Sequence, residues 1–149
     1  MGNGINNGMD SAVKFGAGRY RQGRGVLEHC GQEIRRFGKK AYIVSGPRAF
    51  DAVKDRLLPG LTEAGVEFVA EIYDGVCSYE AAEALGKKCL DAGCDEVVGI
   101  GGGVIMDLSK AVAGKAGVGV INIPTSIATC AAFTAMSVMY TPQGAMKDN

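Results

Sequence analysis

Short apolar runs alternate along this chain with longer segments whose apolar residues recur at helical spacing, a pattern that few folds accept. From about Gly25 to Phe37, Val26, Cys30, Ile34 and Phe37 share a helical face, and Gly38 is placed to end the helix as a C-terminal glycine. Ala41-Tyr42-Ile43-Val44 reads as a buried strand, bounded by the turn pair Gly46-Pro47. A second helix puts Phe50, Val53, Leu57 and Leu61 on one side, and Pro59 is expected to kink or interrupt it. Val66 to Tyr73 predicts the next strand. Ser78 then caps a helix through Leu90, with Ala81, Leu85 and Cys89 facing inward. Glu96-Val97-Val98-Gly99-Ile100 is another strand, and the glycine triplet after it opens a helix carrying Ile105, Leu108 and Val112. Gly119 to Ile123 is the strand that follows. Strands and helices alternating at this spacing imply right-handed crossovers and an α/β fold built on a doubly wound, mostly parallel, Rossmann-like sheet.

A chain of 149 residues is about one domain long, enough to bury a sizeable core. Sixteen Lys plus Arg balance sixteen Asp plus Glu, so no global charge draws the chain to nucleic acid or an anionic membrane. The 23 glycines lie between apolar segments rather than in one tract, which suits tight turns and close approach of backbone to a ligand. No apolar run nears the roughly 20 residues that span a bilayer. Residues 1–10 are rich in Gly and Asn, lack the basic-then-apolar order of a secretory signal, and are expected to form a flexible N-terminus. The five cysteines are odd in number and include no Cys-x-x-Cys, which predicts free thiols in a reducing cytoplasm. His29, the only histidine, falls on the first helix, so a His-based metal site or triad cannot be built from this chain.

The last stretch breaks the rhythm. Ala135 to Tyr140 is apolar and strand-like, and Thr141-Pro142-Gln143-Gly144 is a turn that should start a hairpin. Only Ala145 to Asn149 remain, so the returning strand is expected to be missing and the chain to be cut short.

Two clusters can carry chemistry. Gly99-Ile100-Gly101-Gly102-Gly103-Val104-Ile105-Met106-Asp107-Leu108-Ser109-Lys110 lies at the carboxyl end of a parallel strand, where such sheets bind ligands. Its glycines let the backbone approach a pyrophosphate, and the new helix offers unpaired N–H groups and the positive end of its dipole. Neither G-x-G-x-x-G nor G-x-x-x-x-G-K-[ST] is met, because Met106 stands where a later glycine is needed and no Gly-Lys follows. A ligand cradle and a tight strand-to-helix turn are therefore both open. Asp107 and Lys110, three apart, are either a surface pair of small energetic worth or a polar contact for a bound cofactor. The second cluster runs from Pro124 to Thr134, where the hydroxyls of Thr125, Ser126 and Thr129 can bind phosphate or ribose, or simply cap a turn. Cys130, with no His or basic partner in view, reads as a small packing residue rather than a nucleophile.

Taken together, Gly-Ile-Gly-Gly-Gly-x-x-x-Asp-x-x-Lys from Gly99 and Ile-Pro-Thr-x-x-x-Thr from Ile123 resemble the iron-type or metal-dependent polyol dehydrogenases related to dehydroquinate synthase. The run Ala135-Met136-Ser137-Val138-Met139-Tyr140-Thr141-Pro142-Gln143-Gly144 and the opening Gly18-Arg19-Tyr20-x-x-Gly23-x-Gly25 are similar to glycerol dehydrogenases in particular. The resemblance begins near Phe15 and covers only the first half of the family's usual length. It implies that residues 11–149 form the nucleotide-binding domain of an oxidoreductase that converts a polyol or alcohol hydroxyl to a carbonyl with NAD or NADP. It further implies that Gly101, Gly102 and Gly103 cradle the pyrophosphate, that Asp107 stands beside the nicotinamide end, and that Thr125, Thr134, Met136 and Tyr140 line the cofactor cleft. In the family a zinc or iron ion, held by an acidic residue and two histidines of a second, helical domain, acts as Lewis acid on the substrate hydroxyl. Those ligands are not in this chain, which alone is expected to be inactive.

Three departures from the family pattern matter. Gly46 stands where glycerol dehydrogenases have an acidic residue for the adenosine ribose, and Arg48 follows, so NADP is an alternative to NAD. Cys130 takes the place of a substrate-side aspartate, and Ala128 that of a serine. Thr129-Cys130-Ala131-Ala132 resembles a side branch that includes hydroxycarboxylate-type dehydrogenases, so 2-hydroxycarboxylates are an alternative substrate class. A non-catalytic nucleotide-binding module, or a subunit that needs a separate second half, is the other reading. The apolar run Ala131 to Met139 would then serve as the interface with that half or with another copy.

Overall fold

The computed structural model describes residues 16–148; the expected flexible segment 1–10 lies outside the described residues. Its elements run α1 (Val26–Arg35), β1 (Lys40–Ser45), α2 (Pro47–Glu63), β2 (Glu67–Ile72), α3 (Tyr79–Asp91), β3 (Glu96–Gly101), α4 (Gly103–Ala116), β4 (Gly119–Pro124), β5 (Met139–Tyr140) and β6 (Met146–Asp148). The first four strands form one sheet, parallel throughout, in the order β2-β1-β3-β4. Strand β3 is buried along its whole length and β1 along nearly all of it, as central strands covered on both faces must be.

Period-two alternation divides the core between those faces. Ala41, Ile43, Val98 and Ile100 pack with Ile34 of α1 and with Val53, Leu57 and Leu61 of α2. Tyr42, Val44 and Val97 point the other way, onto Ala82, Leu85 and Cys89 of α3 and Leu108 and Val112 of α4. Two helices on each face make the sheet doubly wound, the architecture that the alternation implies. The chain leaves β1 through α2 to reach β2, then crosses back through α3 to β3 on the opposite side of β1. The switch point therefore falls between β1 and β3.

Local chemistry explains most boundaries. Ser78 caps α3 by accepting the Ala81 N–H at 3.1 Å. Gly117, with φ at 69°, closes α4 in the left-handed conformation.

Several expectations fail for identifiable reasons. Helix α1 closes on Arg36 in a right-handed conformation, so Gly38 is not its left-handed terminator. Gly38 is bare because a Cβ would lie 2.3 Å from Asp95 Oδ1, whose carboxylate accepts the N–H groups of Lys39 and Lys40. Phe37, beyond the helix end, is 55 % exposed instead of joining Ile34. Helix α2 runs on through Pro59 without interruption. The ring removes the bond to the Asp55 carbonyl, but both residues are exposed and water can serve that oxygen. Buried Val53, Leu57 and Leu61 hold the helix on its other side.

The hairpin is not missing its return. Met146–Asp148 comes back as β6, antiparallel to Met139–Tyr140. Its turn closes with Thr141 N–H on the Ala145 carbonyl (2.7 Å), Gly144 N–H on the Thr141 carbonyl (2.8 Å), and Gly144 at φ 88°. The strand expected over Ala135 to Tyr140 is confined to its last two residues, because α4 captures residues 134–138 with polar groups.

Candidate functional site

Both strands at the switch point end in glycine-led turns into helices. Gly46 is the N-cap of α2 after β1, and Gly102 is the N-cap of α4 after β3. Neither helix has a side-chain cap, and neither has an acidic residue in its first turn, whereas α1 and α3 carry Glu28 and Glu80 there. The N-termini of α2 and α4, with the positive ends of both dipoles, therefore flank the switch point, where an open α/β sheet has its crevice, with no acidic residue in either first turn. The buried Ser45 hydroxyl donates to the Ile100 carbonyl at 2.9 Å and ties the two strand ends together at its base.

The three glycines after Ile100 are bare for different reasons. At Gly101 a Cβ would lie 2.9 Å from the Ile105 Cβ, so packing of the first helical turn excludes it. At Gly103 a Cβ would stand 3.3 Å from Thr129 Oγ1, a tight contact with the neighbouring loop. Gly102 has no such reason. A Cβ there meets nothing within 4 Å, and its φ of −90° is open to any residue. Gly46 is similar, with φ at −71° and only the Ile105 Cγ1 at 4.0 Å. Bare backbone that the fold does not require, at the carboxyl ends of the two switch-point strands, fits close approach by a group outside the protein.

From β4 the chain wraps α4 as a collar. Thr125 N–H donates to the Gly101 carbonyl at 2.9 Å, which brings the second cluster beside the first. Thr125 and Ser126 are exposed; Ser126 Oγ accepts the Ala128 N–H and Thr129 Oγ1 accepts the Ala131 N–H, so these last two hydroxyls cap turns. Ala131 packs on Ile105 and Met106. Cys130 is exposed rather than a packing residue, while Cys77, Cys89 and Cys94 are buried; all five cysteines are free thiols. Burial pushes the Cys77 and Cys89 thiols up to about 11, and they are inert as nucleophiles at neutral pH.

Further round the collar, Lys110 Nζ donates to the Thr134 carbonyl at 3.0 Å and to the Met136 carbonyl, and it pairs with Asp107 Oδ1 at 2.9 Å. Asp107 Oδ2 accepts the Val138 N–H at 3.1 Å, and its backbone carbonyl accepts the Ser137 hydroxyl at 2.9 Å. The Met136 side chain is 64 % exposed, as are large parts of Phe133 and Ile127. Tyr140 is half-buried, its N–H on the Cys77 carbonyl at 2.7 Å ahead of α3.

Gly101, Gly102, Gly103 and Thr125 thus meet at the crevice, whereas Thr134 and Met136 lie along the flank of α4 and Tyr140 beside the start of α3. Sequence reasoning missed Ser45 and the inward aim of Lys110. The only signal for the latter was its three-residue spacing from Asp107. Among the described residues no group of three or more His, Cys, Asp and Glu side chains is placed to hold a metal ion, and no helix is long and apolar enough to cross a membrane.

Residues 17–149 match the family described as iron-containing alcohol dehydrogenase. A glycerol dehydrogenase of Thermotoga maritima is 37 % identical over 131 residues, which is 87 % of this chain and 35 % of that protein. Hydroxycarboxylate dehydrogenase A of Escherichia coli is 34 % identical over 107 residues, 70 % of this chain and 28 % of its own length. The crystal structure of glycerol dehydrogenase from Schizosaccharomyces pombe superposes with a TM-score of 0.81 at 24 % identity, covering 92 % of this chain and 35 % of that one. This chain spans about a third of the length of these relatives.

Proposed function

This chain belongs to the iron-containing alcohol dehydrogenase family, and we propose that it supplies the cofactor-binding half of an NAD(P)-dependent dehydrogenase acting on an alcohol or polyol. The observation that carries this reading is Gly102, left bare at the crevice with no reason inside the fold. The pyrophosphate of a dinucleotide would sit against Gly101, Gly102 and Gly103, on the N–H groups that open α4. Thr125 would face it from the collar, and Thr134, Met136 and Tyr140 would line the path of the nicotinamide end. The nicotinamide ring, when bound, supplies a hydride acceptor for the carbinol carbon.

Strand β1 ends Ser45-Gly46-Pro47-Arg48 with no carboxylate for a ribose 2′-hydroxyl, and Arg48 is exposed on the first turn of α2. That supports acceptance of NADP(H) at least as readily as NAD(H). Cys130, exposed on the collar beyond Thr129, would stand on the substrate side. A small neutral residue there, together with the match to a hydroxycarboxylate dehydrogenase, favours polyols and 2-hydroxycarboxylates alike. The described residues do not fit a zinc or iron site, because they bring no three such ligating side chains together. The free thiols favour a reducing compartment such as the cytoplasm.

A second reading is a nucleotide-binding subunit completed by another polypeptide. The exposed Ile127, Phe133 and Met136 favour it, since they leave the collar apolar on its outer side. Under either reading this chain alone is expected to show no metal-dependent alcohol oxidation, with added zinc or iron, in a cofactor-reduction assay.

Gly102→Ala tests the cradle. The substitution meets no protein atom, so thermal stability should change by less than about 1 kcal/mol. Its methyl group would occupy the approach of the pyrophosphate, and NADPH and NADH affinity should fall at least tenfold. Unchanged affinity in a folded variant would remove Gly102 from the site.

A further inference from the structure

Asp107 and Lys110 do not form the exposed ion pair that their spacing allows. Their side chains are only 12 % and 10 % exposed, and their polar atoms are committed inside the protein. The Lys110 ammonium has Asp107 Oδ1, the Thr134 carbonyl and hydroxyl, and the Met136 carbonyl around it. Asp107 keeps Oδ2 for the Val138 N–H and its main-chain carbonyl for the Ser137 hydroxyl. Among the described residues, the hydrogen bonds that fasten 134–138 to α4 all run through these two residues. The segment has no strand partner of its own until Met139.

We propose that Asp107 and Lys110 are positioning residues, a clamp that fixes the nicotinamide side of the site to the helix whose N-terminus takes the pyrophosphate. The proposal rests on the cofactor reading above. The clamp holds both chemical senses of a backbone. The ammonium takes carbonyls, the carboxylate takes an amide and the Asp107 main-chain carbonyl takes a hydroxyl, so residues 134–138 can neither slide nor peel without breaking charge-assisted hydrogen bonds to a nearly buried pair. Asp107 begins the next turn of α4 after Gly103, and Lys110 follows one turn later. Cradle and clamp therefore share one rigid element. Neither side chain keeps a free polar atom for a ligand, so Asp107 acts on the nicotinamide end through the segment that it holds.

The test compares the 149-residue chain with Lys110→Met, which keeps the aliphatic stem and removes the charge. Two probes are titrated: NADH, followed by the fluorescence of its nicotinamide, and ADP-ribose, which lacks that ring. Lys110→Met should weaken NADH at least tenfold and leave ADP-ribose within twofold. In parallel, the Val138 amide should exchange with solvent at least tenfold faster, with the amides of β1 and β3 unchanged. Equal losses for both probes, no loss for either, or unchanged exchange at Val138 would overturn the clamp. Should Lys110→Met fail to fold, Asp107→Asn keeps an acceptor for Val138 and removes only the charge facing Lys110. It should show the same selectivity for NADH over ADP-ribose, and equal losses would again overturn the proposal. A wild-type chain that binds neither probe would overturn the cofactor reading and the proposal with it, an outcome distinct from failure of the clamp alone.

Discussion

Replacing Gly31 with alanine is expected to cost about 3 kcal/mol of stability and roughly 10 °C in Tm, although alanine is the better helix former. Helices α1 and α2 cross where Gly31 meets Gly60. A Cβ at Gly31 would lie 2.1 Å from the Gly60 carbonyl oxygen and 2.5 Å from its carbon. The opposing atoms are backbone and cannot rotate aside, so the helices must separate. Separation opens the layer in which Ile34 packs with Leu57 and Leu61 under the sheet. Gly114→Ala is the matching control. Gly114 is also within a helix, yet its Cβ would meet nothing within 4 Å, so the same change should stabilise by up to about 1 kcal/mol. Urea unfolding of the two variants should show midpoints displaced in opposite directions. A Gly31→Ala variant as stable as the wild type would mean that the helices do not cross through this contact.

The second large effect is a stability that falls as pH rises. Glu96 opens β3 with 0 % exposure, and neither carboxylate oxygen has a hydrogen-bond partner. Burial, aided by the neighbouring Asp95 charge and opposed by Arg35, pushes its pKa up from 4.5 to about 7. The folded state therefore binds this proton more tightly than the unfolded state does. Its favourable contribution is complete below pH 4.5 and is lost as pH rises to about 7. The span corresponds to a loss on the order of 3 kcal/mol. Asp95 cannot mimic the trend: desolvation raises its pKa, but the backbone N–H groups of Lys40, Lys39 and Asp95, with the Arg35 charge, together outweigh it and hold the pKa below 3.8, so its stability contribution is lost only in stronger acid. Unfolding measured at pH 5 and pH 8 should give the wild type a clearly lower stability at pH 8. In Glu96→Gln, which has no proton to lose, most of that difference should vanish. A wild type equally stable at both pH values would place a partner against Glu96.

The layout of the sheet was legible because each signal was local. Apolar runs marked the four parallel strands, Ser78 marked a helix start, and the glycine triplet marked the turn at the crevice. What escaped the sequence depends on partners distant in the chain. Pro59 looks like a breaker until its solvent-facing side and the anchoring of Leu57 and Leu61 are known. Residues 135–138 look like a strand, yet no strand offers them a ladder and two polar residues of α4 take their backbone instead. The exclusion of a side chain at Gly31 is set by a residue 29 positions later, and no glycine pattern in α1 announces it. For the site, the glycines and Thr125 were visible as a cluster. That Gly102, unlike Gly101 and Gly103, is bare without need could be learned only from the empty space around it.

Calorimetric titration of the folded 149-residue chain with NADPH and with NADH tests the central claim most directly. The chain should bind both saturably, with NADPH no weaker than NADH, and ADP-ribose should compete with each. No heat of binding from either cofactor at millimolar concentration, with circular dichroism showing a folded chain, would contradict the assignment of this crevice to a nicotinamide dinucleotide.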